Sequence, residues 1–237
     1  MPKATRLYYL DNLKVLLIIL VTMHHVGQAY GTTGGGWFYS YPGDRVKPLE
    51  FFFAFNASFF MRQSWGFPID RWISFLGFIQ MEPAHFPQYL SLFIFGALAC
   101  RWSYLDSITT PRNTLWLLPG VGVFIVTVIQ RYTTGHNQAF FLWPYREALL
   151  CTGVCIGLLA LFKTFFDRTA RILQLLSENA FGAYVLHVPV VVALQYAFDP
   201  VHAGAFTLFV IVSALSVPGS FLAAILARRI PGVKRVL

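Results

Sequence analysis

Apolar stretches about as long as a bilayer is thick recur from one end of this sequence to the other. A hydrocarbon core of about 30 Å is crossed by roughly 20 apolar residues in a helix. Candidates lie at 13–30, 49–64, 86–102, 114–130, 142–163, 181–198 and 205–227. A weaker stretch at 69–81 holds Asp70 and Arg71 and is open to crossing, re-entering or lying at the interface. Charged residues are only 12% of the chain and hydrophobic ones 57%, against roughly 25% charged in soluble domains. A water-soluble fold of this size has no place to hide so much apolar surface. The expected fold class is therefore all-α: a polytopic transmembrane helix bundle with about seven to eight membrane segments, one membrane domain over residues 1–237.

The net charge is +8, but the basic residues sit between apolar runs and near both ends. They read as topology determinants and lipid headgroup contacts. With no Lys/Arg run carrying interleaved aromatics, nucleic acid is not an expected partner; the lipid bilayer is. Lys3, Arg6 and Lys14 mark the N-terminal end as cytoplasmic, and Arg228, Arg229, Lys234 and Arg235 do the same for the C-terminal end. The loop at 199–204 has no Lys or Arg and should face outward. The expected location is the cell (inner or plasma) membrane. Two cytoplasmic ends require an even number of spans, whereas the clear candidates number seven. Trp37, Phe38, Tyr39 and Tyr41 follow the first run and read as interfacial anchors.

Three cysteines are present. Cys151 and Cys155, four apart in one apolar run, fall on one helix face and read as small hydrophobes. No disulfide, metal site or bound cofactor is implied. Triad spacing for a nucleophilic serine, a phosphate-binding glycine loop and HExxH are all absent.

Ionisable groups inside apolar helices are expensive and mark candidate sites. The first run, YYLDNLKVLLIILVTMHHVGQAY, places Lys14 and His25 eleven residues apart, which returns to nearly the same face roughly 16 Å along the axis. Asp11 precedes Lys14 by three and can pair with it. Imidazole is the natural general base near neutral pH. The spacing alone is equally met by a snorkelled interfacial pair and a structural histidine. Glu147 lies about one turn inside the run FLWPYREALLCTGVCIGLLALF, beside Arg146, as an interfacial ion pair or a buried acid. His187 sits mid-run in SENAFGAYVLHVPVVVALQYAF, with Tyr184 one turn before it and Pro189 just after, as a core histidine or part of a substrate cavity.

Several segments, in order, resemble the acyltransferase-3 family. LDNLKVLLIILVTMHH is similar to that family's first helix, with Lys14 where the pattern has Arg and His25 at the histidine of its R-x10-H signature. FFFAFNASFFM (51–61), FPQYLSLFIFGALA (86–99), the stretch from Trp143 to Gly157 with Glu147, and NAFGAYVLHVPVVV (179–192) resemble later helices, and RRIPGVKRVL resembles glucan-modifying members. The SGF/SGY motif and the following cytoplasmic RxxR are missing after Met61, so the resemblance implies an internally shortened member. It implies transfer of an acyl group from a cytoplasmic donor, acyl-CoA as co-substrate, to a hydroxyl of a glycan or other envelope acceptor. His25 and Glu147 are the implied catalytic residues; Lys14, Asp11, His187 and Tyr184 are the implied substrate-binding ones. The loss after Met61 points to the alternative, a non-catalytic membrane paralogue. A proton-coupled transporter lacks the inverted repeat such folds carry.

Overall fold

The computed structural model of the chain describes residues 6–31, 37–46, 73–75, 79–81, 86–102, 105, 107, 109–134, 143–168 and 170–233. In chain order these form α1 (Tyr8–Tyr30), β1 (Ile73–Phe75), β2 (Ile79–Met81), α2 (Phe86–Arg101), a 3-10 turn (Pro111–Trp116) leading into α3 (Leu117–Thr134), α4 (Trp143–Phe165), α5 (Arg171–Glu178), α6 (Ala180–Ala197) and α7 (Ala205–Ala227). Helices dominate, as expected. Four of them among the described residues are long and apolar enough to cross a membrane: Tyr8–Tyr30, Pro111–Gln130, Ala180–Ala197 and Ala205–Ala227; Leu149–Phe165 is a shorter apolar helix. Residues 49–64 lie outside the described residues. The weaker stretch at 69–81 does not cross as a helix: β1 and β2 pair antiparallel, Ile73 opposite Met81, and three-residue strands are far too short to span hydrocarbon.

The chain packs as two compact units, Met1–Asn56 with Phe166–Leu237, and Ala57–Phe165. In the first, α1, α6 and α7 pack against one another. Towards one end Val26, Ala29, Tyr30, Val191, Leu208 and Val212 form a core; towards the other it is Val15, Ala183, Phe221 and Ala224. The alanines let helix axes approach closely where hydrocarbon surrounds the bundle. The outward faces carry exposed Val185, Phe206, Val210 and Leu222, as a lipid-facing surface requires. Helix α6 continues through Pro189, and α7 through Pro218.

The ends of this bundle are tied by polar groups. Helix α1 ends at Gly31, and its last carbonyls find donors in the following loop: Tyr41 N–H donates to Ala29 and Val46 N–H to Tyr30. That loop is fastened to the α6–α7 connection, where the Tyr39 hydroxyl donates to Asp199 at 2.6 Å and the Tyr41 hydroxyl to the Ala203 carbonyl at 2.9 Å. Burial, and then the bond to Asp199, push the Tyr39 phenol above its usual range. At the opposite end, buried Asn12 donates to the carbonyls of Phe166 and Arg168, and Arg228 donates to the Glu178 carbonyl and the Asn179 side chain. Between them α5 lies as a short amphipathic helix, with Ile172 and Leu175 exposed and Ser177 buried.

In the second unit α3 and its leading turn pack on α4. The contact is lined by Gly120, Gly153 and Gly157. A Cβ on Gly153 would come within 2.7 Å of the Trp116 carbonyl oxygen, and one on Gly157 within 2.8 Å of the Leu117 backbone nitrogen. The sulfurs of Cys151 and Cys155 lie 4.0 Å apart on α4, so both thiols share one face as expected.

Candidate active site

Two polar clusters lie at opposite ends of α1. At its N-terminal end, Asp11 accepts from Lys14 at 3.1 Å, the pair the spacing anticipated, and more closely from Arg6 at 2.6 Å. Arg6 also bridges to Glu178 at 3.2 Å. Gln174 and then Arg6 hold the Glu178 carboxyl below its ordinary range. Asp11 and Lys14, with Arg6, Ser177, Glu178 and Phe181, line an open cleft of about 590 Å³. Its two cations and two carboxylates sit beside apolar walls, so it offers both charge and apolar surface.

The second cluster is built from α1, α6 and the loop after α1. One face of α1 presents His25, half-buried and eleven residues from Lys14, which is roughly 16 Å away along the helix. The ring of His187, buried on α6, lies 5.0 Å from that of His25, tilted by 37°. Trp37 covers the His25 ring, stacked at 4.8 Å and 21°. His24 meets His25 edge-on at 5.7 Å.

Hydrogen bonding fixes the tautomer of one imidazole. His187 Nδ1 contacts the backbone carbonyl of Tyr184. A carbonyl only accepts, so Nδ1 carries the proton and Nε2 keeps its lone pair. That Nε2 is buried with no hydrogen-bond partner among the described residues, and so is Nδ1 of His25. Leaving a buried polar atom unpaired costs about 1–3 kcal/mol, and such atoms in a native fold call for an explanation, catalysis among them. Two unpaired imidazole nitrogens on neighbouring rings can accept, hold and pass on a proton. Among the described residues no group of His, Cys, Asp or Glu is arranged to hold a metal ion.

The structure thus brings together His25 and His187, and separately Lys14 and Asp11. Tyr184 is exposed at its side chain; its carbonyl, not its hydroxyl, meets His187, and the two rings lie 5.6 Å apart. Glu147 is on α4 in the other unit, and its side chain lies outside the described residues. Two residues that the sequence reading did not single out complete the histidine cluster. Trp37 had been read only as an anchor, and Gln195, an uncharged amide inside an apolar run, was open to notice on the same ground as His187.

The fold and this cluster define a helical membrane protein with an imidazole pair buried between two of its apolar helices. The sequence model of the acyltransferase-3 family, described as an acyltransferase domain, matches residues 50–225. That is most of the chain, and the chain belongs to the acyltransferase-3 family. Helix α1, with His25, precedes the matched residues, whereas α6, with His187, lies inside them. No curated protein and no solved structure gives a significant match.

Proposed function

We propose that this protein transfers an acyl group from a cytoplasmic acyl thioester, acyl-CoA, to a hydroxyl of a glycan or other envelope acceptor. The observation that carries the reading is the neighbouring His25 and His187 rings, each with a buried nitrogen that has no hydrogen-bond partner among the described residues, in a chain of acyltransferase membership. His25 takes the proton of the acceptor hydroxyl as the oxygen attacks the thioester carbonyl. The new C–O bond forms, the C–S bond breaks, and the leaving thiolate takes the proton back from His25. While His25 is an imidazolium, the neutral His187 ring, its centroid 5.0 Å away, stabilises the charge with its unprotonated nitrogen. Base catalysis of this kind contributes roughly 10²–10⁴-fold. Asp11 and Lys14, in the cleft at the basic end, hold the polar part of the donor. Glu147 stays a candidate acid on the family resemblance alone.

The basic end of the first unit is cytoplasmic in this reading, and the membrane is the cell (inner or plasma) membrane. Helices α1 and α6 run the same way and α7 returns, so the start of α1 and the end of α7 both lie at the basic end. The total number of crossings is then even, and with 69–81 in a hairpin at most six of the seven apolar runs cross.

The test is mass spectrometry of envelope glycans from cells expressing the chain, beside His25→Ala. An added acyl mass that disappears in the variant supports the reading. An undiminished mass in the variant removes His25 as the base. No added mass from either, with the protein present in the membrane, favours a non-catalytic family member.

A further inference from the structure

We propose that Gln195 is a positioning residue, holding the His25 imidazole in its working orientation through Trp37. The proposal rests on the reading of His25 as general base. Gln195 lies eight residues after His187 on α6 and is fully buried. Its amide is used at both ends. The oxygen accepts from the Trp37 indole N–H at 2.7 Å, and the nitrogen donates to the Val26 carbonyl at 3.2 Å. Val26 directly follows His25 on α1. One side chain therefore fixes the ring that covers His25 and also the backbone next to it.

The chemistry explains why this matters. The outer torsion of a histidine side chain is broad and weakly restrained by its own sterics, and among the described residues the His25 Nδ1 has no hydrogen-bond partner. Besides a hydrogen bond with the Gln28 side chain, that ring is restrained by packing: Trp37 on one face and His187 beside it. Trp37 comes from a loop, and the 2.7 Å bond to Gln195 is what sets its indole plane. A general base must reach about 2.6–3.2 Å from the proton it takes. Loosening the indole thus affects the chemical step, while the donor cleft at the far end of α1 is untouched.

Trp37→Phe keeps a stacking ring and removes the N–H donor. Gln195→Met keeps the length and removes both polar contacts. Acyl transfer is measured in membranes holding matched amounts of protein, with acetyl-CoA as the donor probe and envelope glycan as the acceptor. Each variant is expected to lower kcat by about 10- to 100-fold, the size of loss small misplacements bring, with KM for acetyl-CoA unchanged. The double variant is expected to be no slower than the slower single one, since both cut the same link. A merely structural role would lower the amount of protein and leave kcat per molecule as it was. Trp37→Phe at the normal kcat overturns the proposal, and so does a double loss equal to the product of the single losses. Trp37→Phe decides the matter alone where Gln195→Met does not accumulate. In the same assay, a fully active His25→Ala overturns the base reading beneath the proposal. An inactive His25→Ala beside a fully active Trp37→Phe overturns the positioning role only.

Discussion

Where a proton sits on His187 is decided by the backbone. Its Nδ1 faces the Tyr184 carbonyl, so the lone pair is left on Nε2, next to His25. His187→Asn retains a donor near that carbonyl and removes the acceptor nitrogen. In the mechanism above it should lower kcat by about 10²-fold or more, with the protein still in the membrane; transfer at the normal rate would remove His187 from the reaction. Both histidines were legible in the sequence because an ionisable group in an apolar run is costly enough to stand out. The Asp11–Lys14 pair was legible from helical spacing alone. The closer Arg6–Asp11 contact comes from a residue before the helix, five positions from Asp11, and Glu178 joins from 172 positions away from Arg6; helical spacing carries neither. Gln195 was open to notice as a polar residue in an apolar run, but what it and Trp37 meet was opaque for a similar reason. An indole after a membrane run suits a headgroup anchor equally well, and only the packing of α1, α6 and the loop shows what its N–H meets.

At the scale of elements, the described apolar helices lie where the apolar runs put them, since a span imposes its own length, but only four of those described are long and apolar enough to cross, fewer than the seven to eight expected. The stretch at 69–81 holds a strand pair instead. Ile73, Phe75 and Ile79 are β-branched and aromatic residues that favour strands, and a short apolar run does not by itself distinguish strand from helix. The seam between α3 and α4 is built on Gly153 and Gly157, four residues apart, a small-residue spacing that lets membrane helices touch and that the sequence reading did not single out. Gly153→Ala would press its methyl against the Trp116 carbonyl oxygen, backbone that has no rotamer in which to retreat. Overpacking of this kind costs about 1–3 kcal/mol. Gly122→Ala meets nothing within 4 Å and serves as the comparison. Thermal unfolding in detergent should therefore fall clearly for Gly153→Ala and hardly move for Gly122→Ala. Equal behaviour of the two would mean that the glycine seam does not limit the packing of this unit.

For the molecule as a whole, charge and packing in the first unit agree on one direction. Arg6, Lys14, Arg171, Arg228 and Arg229 gather at the end where α1 and α6 begin and α7 finishes. The aromatic loop after α1 and the connection between α6 and α7 meet at the other. Positive residues are retained on the cytoplasmic side, so under the proposed function the cleft and the histidine pair follow one another along α1 in the order a transfer from cytoplasm to envelope needs. His202 and Arg229 are both exposed, one at each end. A membrane-impermeant maleimide applied to intact cells should modify His202→Cys, and modify Arg229→Cys only after permeabilisation, with the unaltered chain as the baseline for its own cysteines. The reverse pattern would put the donor cleft outside, away from cytoplasmic acyl-CoA, and the proposed direction of transfer would fall with it. Labelling of both from the same side would contradict the antiparallel return of α7, because its 23 residues at about 1.5 Å each are long enough to separate its ends by a full bilayer core.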